Sequence, residues 1–143
     1  MTIARILRNK GSDVIGVAPG EDLAAIARTL VRHRLGAVLV RDEGGEVLGI
    51  VSERDIVRAF AEEDGVLDGR TAADVMTRKL FTATPDTPIT RALEMMTDRR
   101  VRHLPVMEDG KLRGIVSIGD LVKARIEEAV TEAAALREYV TTG

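Results

Sequence analysis

The chain contains the stretch Gly49-Ile50-Val51-Ser52-Glu53-Arg54-Asp55-Ile56-Val57 and, later, the near copy Gly114-Ile115-Val116-Ser117-Ile118-Gly119-Asp120-Leu121-Val122. A buried strand and helix require only the apolar positions, but the copy also keeps a glycine, a serine and an aspartate. We name the two Ser-x-x-Asp sequences the first corner (Ser52–Asp55) and the second corner (Ser117–Asp120). Each predicts a polar turn where a buried strand runs into a helix.

The repeat extends well beyond the two corners. Residues 19–57 align with residues 85–122, apart from one residue in the glycine-containing turns at 42–45 and 108–110. Each copy predicts the order β-α-β-β-α, preceded by a short lead-in helix. We therefore predict an α/β fold of two repeats packed with pseudo-two-fold symmetry. The predicted boundaries are a first repeat at 1–63, a linker at 64–70 and a second repeat at 71–143.

Composition places the chain among globular proteins. Of its 143 residues, 45% are hydrophobic and 31% are charged, and it has no cysteine for a disulfide or a thiolate metal site. The net charge of −2, with one Tyr, two Phe and no Trp, does not favour nucleic-acid binding. Because no stretch resembles a signal peptide or a membrane span, we expect a cytoplasmic protein that does not enter a membrane.

The last predicted helix, from about Asp120 towards Val140, carries apolar residues in alternating four- and three-residue steps. This spacing is typical of a coiled-coil seam, which would pair two copies of the chain. The same residues would also suit a helix that packs on its own domain, so both interpretations stay open. The seam positions are Val122, Ile126, Ala129, Ala133, Leu136 and Val140.

The corners have two interpretations as well. With serine at the N-cap and aspartate three residues later, each is a variant capping box that satisfies free N–H groups at a helix start. Alternatively, the helix start attracts an anion and the carboxylate accepts the hydroxyls of a ribose. Recurrence of the whole set in both repeats favours a ligand site, and capping and binding can use different atoms of the same residues.

The sequence resembles the CBS-domain pair, or Bateman module, of the stand-alone type over nearly its full length. The first repeat matches less closely, because Leu35–Val40 lacks the proline that the family usually has before the last valine. The segments that carry the resemblance are Asp74–Thr77, Val101–Val106, Gly110, Gly114–Ser117, Asp120-Leu121, Gly49–Ser52 and Arg54-Asp55.

The resemblance implies two clefts between the repeats, each able to bind an adenosine-containing ligand such as AMP, ADP, ATP, NAD or S-adenosylmethionine. In one cleft, Asp120 would hold the ribose. Its other implied residues are Ser117, Gly119, Ile15, Leu35, Gly36 and Ala37. In the other cleft, Asp55 would hold the ribose. Its other implied residues are Ser52, Arg54, Phe81, Val101, Arg102 and His103.

A basic cluster of Arg99, Arg100, Arg102 and His103 lies at a predicted helix end. It suits either a helix C-terminus or contact with a phosphate. Because the first repeat has only His33-Arg34 before the apolar Leu35–Ala37, we expect one cleft to suit phosphates better than the other. His33 and His103 lack the spacing of metal ligands. No nucleotide-binding Gly-rich motif and no base for either corner serine can be identified, so we expect neither catalysis nor a catalytic cofactor.

We therefore expect a regulatory module that senses adenine nucleotides, forms a homodimer and signals to an unidentified protein. Two alternatives stay open. One is a structural or interaction module whose clefts are empty and whose corners only cap helices. The other is nucleic-acid binding through Arg99–Arg102, which the acidic overall charge disfavours.

Overall fold

The structure is a computed structural model that describes residues 1–11, 13–62, 64–65 and 67–142. In chain order the elements are α1 (Ile3–Lys10), β1 (Gly16–Val17), α2 (Leu23–His33), β2 (Ala37–Arg41), β3 (Val47–Ser52), α3 (Glu53–Glu62), α4 (Ala72–Val75), α5 (Ile89–Arg99), β4 (His103–Glu108), β5 (Lys111–Ser117) and α6 (Ile118–Thr142). The predicted mixed α/β fold is confirmed.

The chain forms two compact units, which we call the first unit (Asp13–Leu80) and the second unit (Phe81–Gly143 together with Met1–Ser12). The first unit has a three-stranded sheet of order β1-β2-β3, with β1 parallel and β3 antiparallel to β2. In the second unit β4 pairs antiparallel with β5. In the second unit, Ala83 forms a parallel bridge with Val106 at the position that corresponds to β1 of the first unit.

Amphipathic helices cover one face of each sheet, as their 3.6-residue periodicity predicts. Each buried Leu or Ile contributes about 1.5–3 kcal/mol relative to an exposed one. Both α2 and α5 end at an arginine in the left-handed conformation, Arg34 and Arg100. The buried residues of the two helices are Leu23, Ile26 and Leu30 in α2 and Ile89, Ala92 and Met96 in α5.

The two lead-in helices are exchanged between the units. Helix α1 opens the first repeat in sequence, but Ile3 is fully buried in the core of the second unit and its N–H donates to the Thr87 carbonyl at 3.0 Å. Helix α4 opens the second repeat, but Ala72 is buried in the first unit and its N–H donates to the Glu21 carbonyl at 2.9 Å. The compact units therefore divide the chain differently from the repeat boundaries 1–63, 64–70 and 71–143, which stay a prediction.

Because of this exchange, a lead-in segment lies against the glycine that begins each copy of the repeated stretch. A Cβ placed on Gly49 would lie 2.8 Å from the Thr77 carbonyl oxygen, and one on Gly114 would lie 2.7 Å from Cδ2 of Leu7. Ordinary contacts of a Cβ begin at 3.4 Å. In the first unit the Thr77 backbone lies too close for another residue to fit at position 49 without a shift, whereas in the second unit the neighbour of position 114 is the end of the flexible Leu7 side chain.

Helix α6 is buried against the rest of the second unit only at its beginning. Leu121 and Ala124 are buried in that unit, but every side chain from residue 129 to residue 141 is exposed. The large seam residues from Val122 to Val140 are between 44% and 70% exposed. The helix therefore packs on its own unit over its first turns only, and its seam is uncovered in this chain. Within the described residues, no helix has the length and apolar character needed to cross a bilayer.

Candidate ligand-binding corners

The first corner forms at the junction of β3 and α3. The backbone N–H of Ser52 donates to Oδ2 of Asp55 at 2.8 Å, and the backbone N–H of Asp55 donates to Oγ of Ser52 at 3.3 Å. The serine hydroxyl also donates to Oδ2, at 3.0 Å. These reciprocal bonds are those of a capping box with Asp in place of Glu.

The second corner repeats this arrangement at the junction of β5 and α6. The backbone N–H of Ser117 donates to Oδ2 of Asp120 at 2.9 Å, and the backbone N–H of Asp120 donates to Oγ of Ser117 at 3.1 Å. Similar bonding occurs at α4, where the N–H of Thr71 donates to Oδ2 of Asp74 at 2.8 Å, a place with no predicted ligand role. Capping therefore accounts for the serine and for one carboxylate oxygen at each corner.

The other oxygen of each aspartate is not used by the cap. At the first corner, Oδ1 of Asp55 lies 3.5 Å from Nη1 of Arg58, whose side chain is 60% exposed. At the second corner, the hydrogen bonds from the Ser117 N–H and from Lys10 both go to Oδ2 of Asp120. Capping and ligand binding can therefore involve different atoms of the same aspartate.

Several predicted site residues lie beside the first corner in the first unit. Ala37 pairs with Ser52 across β2 and β3, and the Gly36 carbonyl accepts the N–H of the first residue of α3 at 2.9 Å. Ile15 and Leu35 are partly buried against the core of the same unit. The structure thus brings Gly36 and Ala37 to the first corner.

The second unit has a matching arrangement. His103 pairs with Ser117 across β4 and β5, and the Arg102 carbonyl accepts the N–H of the first residue of α6 at 2.8 Å. Phe81 and Val101 are partly buried against the core of that unit. The family resemblance assigns Arg102 and His103 to the cleft of Asp55, and Gly36 and Ala37 to that of Asp120. That crosswise grouping stays a prediction.

The corners differ at the residue before the aspartate. Arg54 occupies this position in the first corner and is exposed. Gly119 occupies it in the second, where an added Cβ would lie 3.7 Å from Oγ of Ser117, an ordinary contact. Packing therefore does not require glycine at position 119.

The basic cluster is divided between a helix end and a strand. The Arg99 guanidinium lies 4.9 Å from the centroid of the Phe81 ring, and Arg100 is the left-handed C-cap of α5. These positions agree with the helix-end interpretation for both arginines. Phosphate contact by Arg102 and His103 stays a prediction.

Lys10 is a residue of the second corner that the sequence did not reveal. Its Nζ donates to Oδ2 of Asp120 at 2.7 Å and to the Ile115 carbonyl at 3.0 Å. Burial of the Asp120 carboxyl raises its pKa, but the hydrogen bonds from Lys10 and from the Ser117 N–H outweigh this effect, so the pKa lies below its ordinary value. Lys10 is 110 residues from Asp120 in sequence, and only the exchange of α1 brings them together.

A family model for the CBS domain matches residues 5–62 and 72–127, which together make up most of the chain. The two matches correspond to the two repeats, each with its Ser-x-x-Asp corner. The chain belongs to the CBS domain family and contains two CBS domains.

Individual relatives agree with this assignment. A CBS-domain protein of Agrobacterium tumefaciens is 40% identical, with a TM-score of 0.84, over 87% of this chain and 92% of that chain. The mitochondrial CBS domain-containing protein CBSX3 of Arabidopsis thaliana is 33% identical, over 99% of this chain and 73% of the relative. The cytoplasmic location of the present chain stays a prediction.

Another similar structure was solved with ligands. The CBS domain pair of protein MJ0100, in complex with 5′-methylthioadenosine and S-adenosyl-L-methionine, is 25% identical with a TM-score of 0.77. The match covers 87% of this chain and 98% of that chain. Both of those ligands contain an adenosine group.

Proposed function

We propose that this chain is a regulatory module that binds an adenosine-containing ligand at its Ser-x-x-Asp corners. The observation that carries the proposal is that each corner fixes one carboxylate oxygen in a cap and leaves Oδ1 outside it. A carboxylate held in this way is suited to accept ribose hydroxyls, as the acidic residue of dinucleotide-binding folds does. The adenosine ligands of the MJ0100 pair support the same ligand class.

AMP, ADP, ATP, NAD and S-adenosylmethionine share the adenosine group, so all of them belong to the proposed class. Asp55 and Asp120 are the proposed ribose-binding residues. The proposed surrounding residues are those that the family resemblance implies: Ile15, Leu35, Gly36, Ala37, Ser52, Arg54, Phe81, Val101, Arg102, His103, Ser117 and Gly119.

We propose binding and signalling rather than catalysis. The hydroxyls of Ser52 and Ser117 accept hydrogen bonds from the helix N–H groups of their own corners. A serine nucleophile needs an adjacent base to take its proton, and Oδ2 of the neighbouring aspartate already accepts the capping N–H at each corner. Ligand binding would then act by stabilising one arrangement of the protein, which an unidentified partner protein recognises.

The test compares three aspartates that all accept a capping hydrogen bond. The full chain and its Asp55→Ala/Asp120→Ala and Asp74→Ala variants are titrated with AMP and with S-adenosylmethionine in a calorimeter. We expect the double variant to lose binding and Asp74→Ala to bind like the parent, because Asp74 caps α4 outside both corners. Binding that is undiminished in the double variant would refute the assignment.

A thermal-shift panel of AMP, ADP, ATP, NAD, NADH and S-adenosylmethionine then identifies the ligand. A ligand at about 100 times its Kd adds about 2.7 kcal/mol of stability.

The second candidate is a structural module whose corners only cap helices. It is favoured by one observation, namely that both capping boxes are complete without a ligand. Absence of any shift across the panel would support this candidate.

We also propose that the exposed seam of α6 pairs with the same seam of a second copy. Ile126 and Val140 at one set of heptad positions and Leu136 at the other match the preference of two-stranded coiled coils. Because Ala129 and Ala133 lie in the middle, the helices would approach closely there but bury little apolar area. A ligand that alters the contacts between the two copies would thereby change the arrangement that a partner protein recognises.

A further inference from the structure

The two corners differ in the cation that faces the aspartate. At the second corner the Lys10 ammonium is 2.7 Å from Asp120, a short charge-assisted hydrogen bond. At the first corner the cation paired with Asp55 is Arg58, at 3.5 Å and on an exposed side chain of the same helix. Such exposed pairs contribute little because solvent screens them. Asp120 is therefore the more fully neutralised of the two carboxylates.

The Lys10 ammonium also has binding capacity left. An ammonium carries three N–H donors, and two are used by Asp120 and by the Ile115 carbonyl. In the part of the chain that the structure describes, no third acceptor bonds it, and the Lys10 side chain is 36% exposed. The third donor is available to a negatively charged oxygen of a ligand.

The second corner is also open on the side of Gly119. Packing leaves room for a Cβ there, although glycine in a helix is less favourable than alanine by up to about 1 kcal/mol. The first corner has the long side chain of Arg54 at this position. A ligand can thus approach Asp120 past a residue that has no side chain.

We propose that Lys10 makes the second corner selective for adenosine ligands that carry a negative charge beside the ribose, such as a 5′-phosphate, over neutral adenosine. A ribose bound by an unpaired carboxylate would place its 5′-phosphate near a like charge, which repels it. Lys10 cancels this repulsion and adds a donor. The proposal rests on the proposed function, because it assumes that Asp120 binds ribose.

The experiment uses the full chain carrying Asp55→Ala, which leaves one ribose-type aspartate. AMP and adenosine are titrated calorimetrically into this parent and into its Lys10→Met, Lys10→Arg and Arg8→Met derivatives. Arg8 is the matched control, because it is an exposed cation in the same last turn of α1. For Lys10→Met we expect AMP binding to weaken about tenfold, equivalent to about 1.4 kcal/mol, and adenosine binding to change less than about threefold. Lys10→Arg should retain most of the preference for AMP, and Arg8→Met should match the parent.

The other outcomes count against the proposal in distinguishable ways. Equal loss of both ligands in Lys10→Met, or no loss of AMP binding, overturns the role of Lys10 and leaves adenosine binding intact. AMP binding that disappears with Asp55→Ala alone places the ligand at the first corner and also overturns it. If the chain with both aspartates binds neither AMP nor adenosine, nor any other member of the panel, the proposed function fails as well. Should Asp55→Ala unfold by circular dichroism, Asp55→Asn replaces it, because the amide oxygen keeps the cap.

Discussion

Replacing Gly49 by alanine tests whether the close approach of Thr77, just after α4, is the reason that this position of the repeated stretch is glycine. The new Cβ would meet the Thr77 carbonyl oxygen at 2.8 Å, at least 0.6 Å closer than the 3.4 Å at which ordinary contacts begin. That oxygen accepts the N–H of Ile50 at 3.0 Å, and the N–H of Thr77 donates back to Ile50 at 2.9 Å. Thr77 therefore cannot retreat without weakening two hydrogen bonds, each worth about 0.5–1.5 kcal/mol net.

The magnitude follows from these opposing effects. Overpacking of this kind typically costs about 1–3 kcal/mol. Alanine offsets about 0.4–1 kcal/mol by restricting the unfolded chain. Taking the middle of each range, we expect Gly49→Ala to lower the free energy of unfolding by about 1.3 kcal/mol, and by at most about 2.6 kcal/mol, measured by urea denaturation.

Two matched variants make the test specific. Gly114→Ala meets only Cδ2 of Leu7, the end of a flexible side chain. A shift of the Leu7 rotamer costs about 0.5–1.5 kcal/mol, and alanine offsets most of this cost by restricting the unfolded chain. We therefore expect the free energy of unfolding to change by less than about 1 kcal/mol. Gly119→Ala has room and should leave stability unchanged or raise it. If Gly49→Ala is as stable as Gly114→Ala, the close approach of Thr77 does not determine the glycine and the reasoning is wrong.

Three further outcomes are expected. The free energy of unfolding of Asp120→Asn should be about 1 kcal/mol lower than that of the parent, measured by urea denaturation at pH 7. The gap should close below pH 3.8, the ordinary pKa, because the lowered pKa stabilises the fold only while the carboxyl is ionised; an equal gap at pH 7 and pH 3 would contradict this. Leu136→Glu on the α6 seam should convert a dimer to a monomer in sedimentation, whereas Thr131→Glu on the opposite face should not. Thr71→Ala should cost about 1 kcal/mol through loss of its side-chain contact with the α4 cap, read from urea midpoints; no change would show that the hydroxyl contributes nothing.

The elements that rest on local patterns could be predicted from the sequence. Helices α2 and α5 follow from apolar spacing, and the four strands β2 to β5 follow from short apolar runs around glycine turns. Both capping boxes follow from Ser and Asp three residues apart, since their hydrogen bonds join neighbours in the chain. The seam on α6 follows from its heptad steps.

The exchange of α1 and α4 could not be predicted in the same way. The apolar face of α1, with Ile3 and Ile6, shows that the helix needs a core. It does not show which core, because the two repeats offer nearly the same apolar surface. The pairing of Lys10 with Asp120 depends on that choice, so the cation of the second corner was missed. The crosswise grouping of site residues likewise depends on contacts that local patterns do not specify.

The exchange of lead-in helices also changes what a break in the chain would do. A protease cut within 64–70 would produce two peptides, but each compact unit contains parts of both. The nicked protein should therefore stay together without a covalent link, and the peptides should separate only on unfolding. For the same reason, neither repeat can be excised as a contiguous segment with its own core complete. The first unit, Asp13–Leu80, is by contrast contiguous in sequence, so a segment with these bounds keeps one core complete.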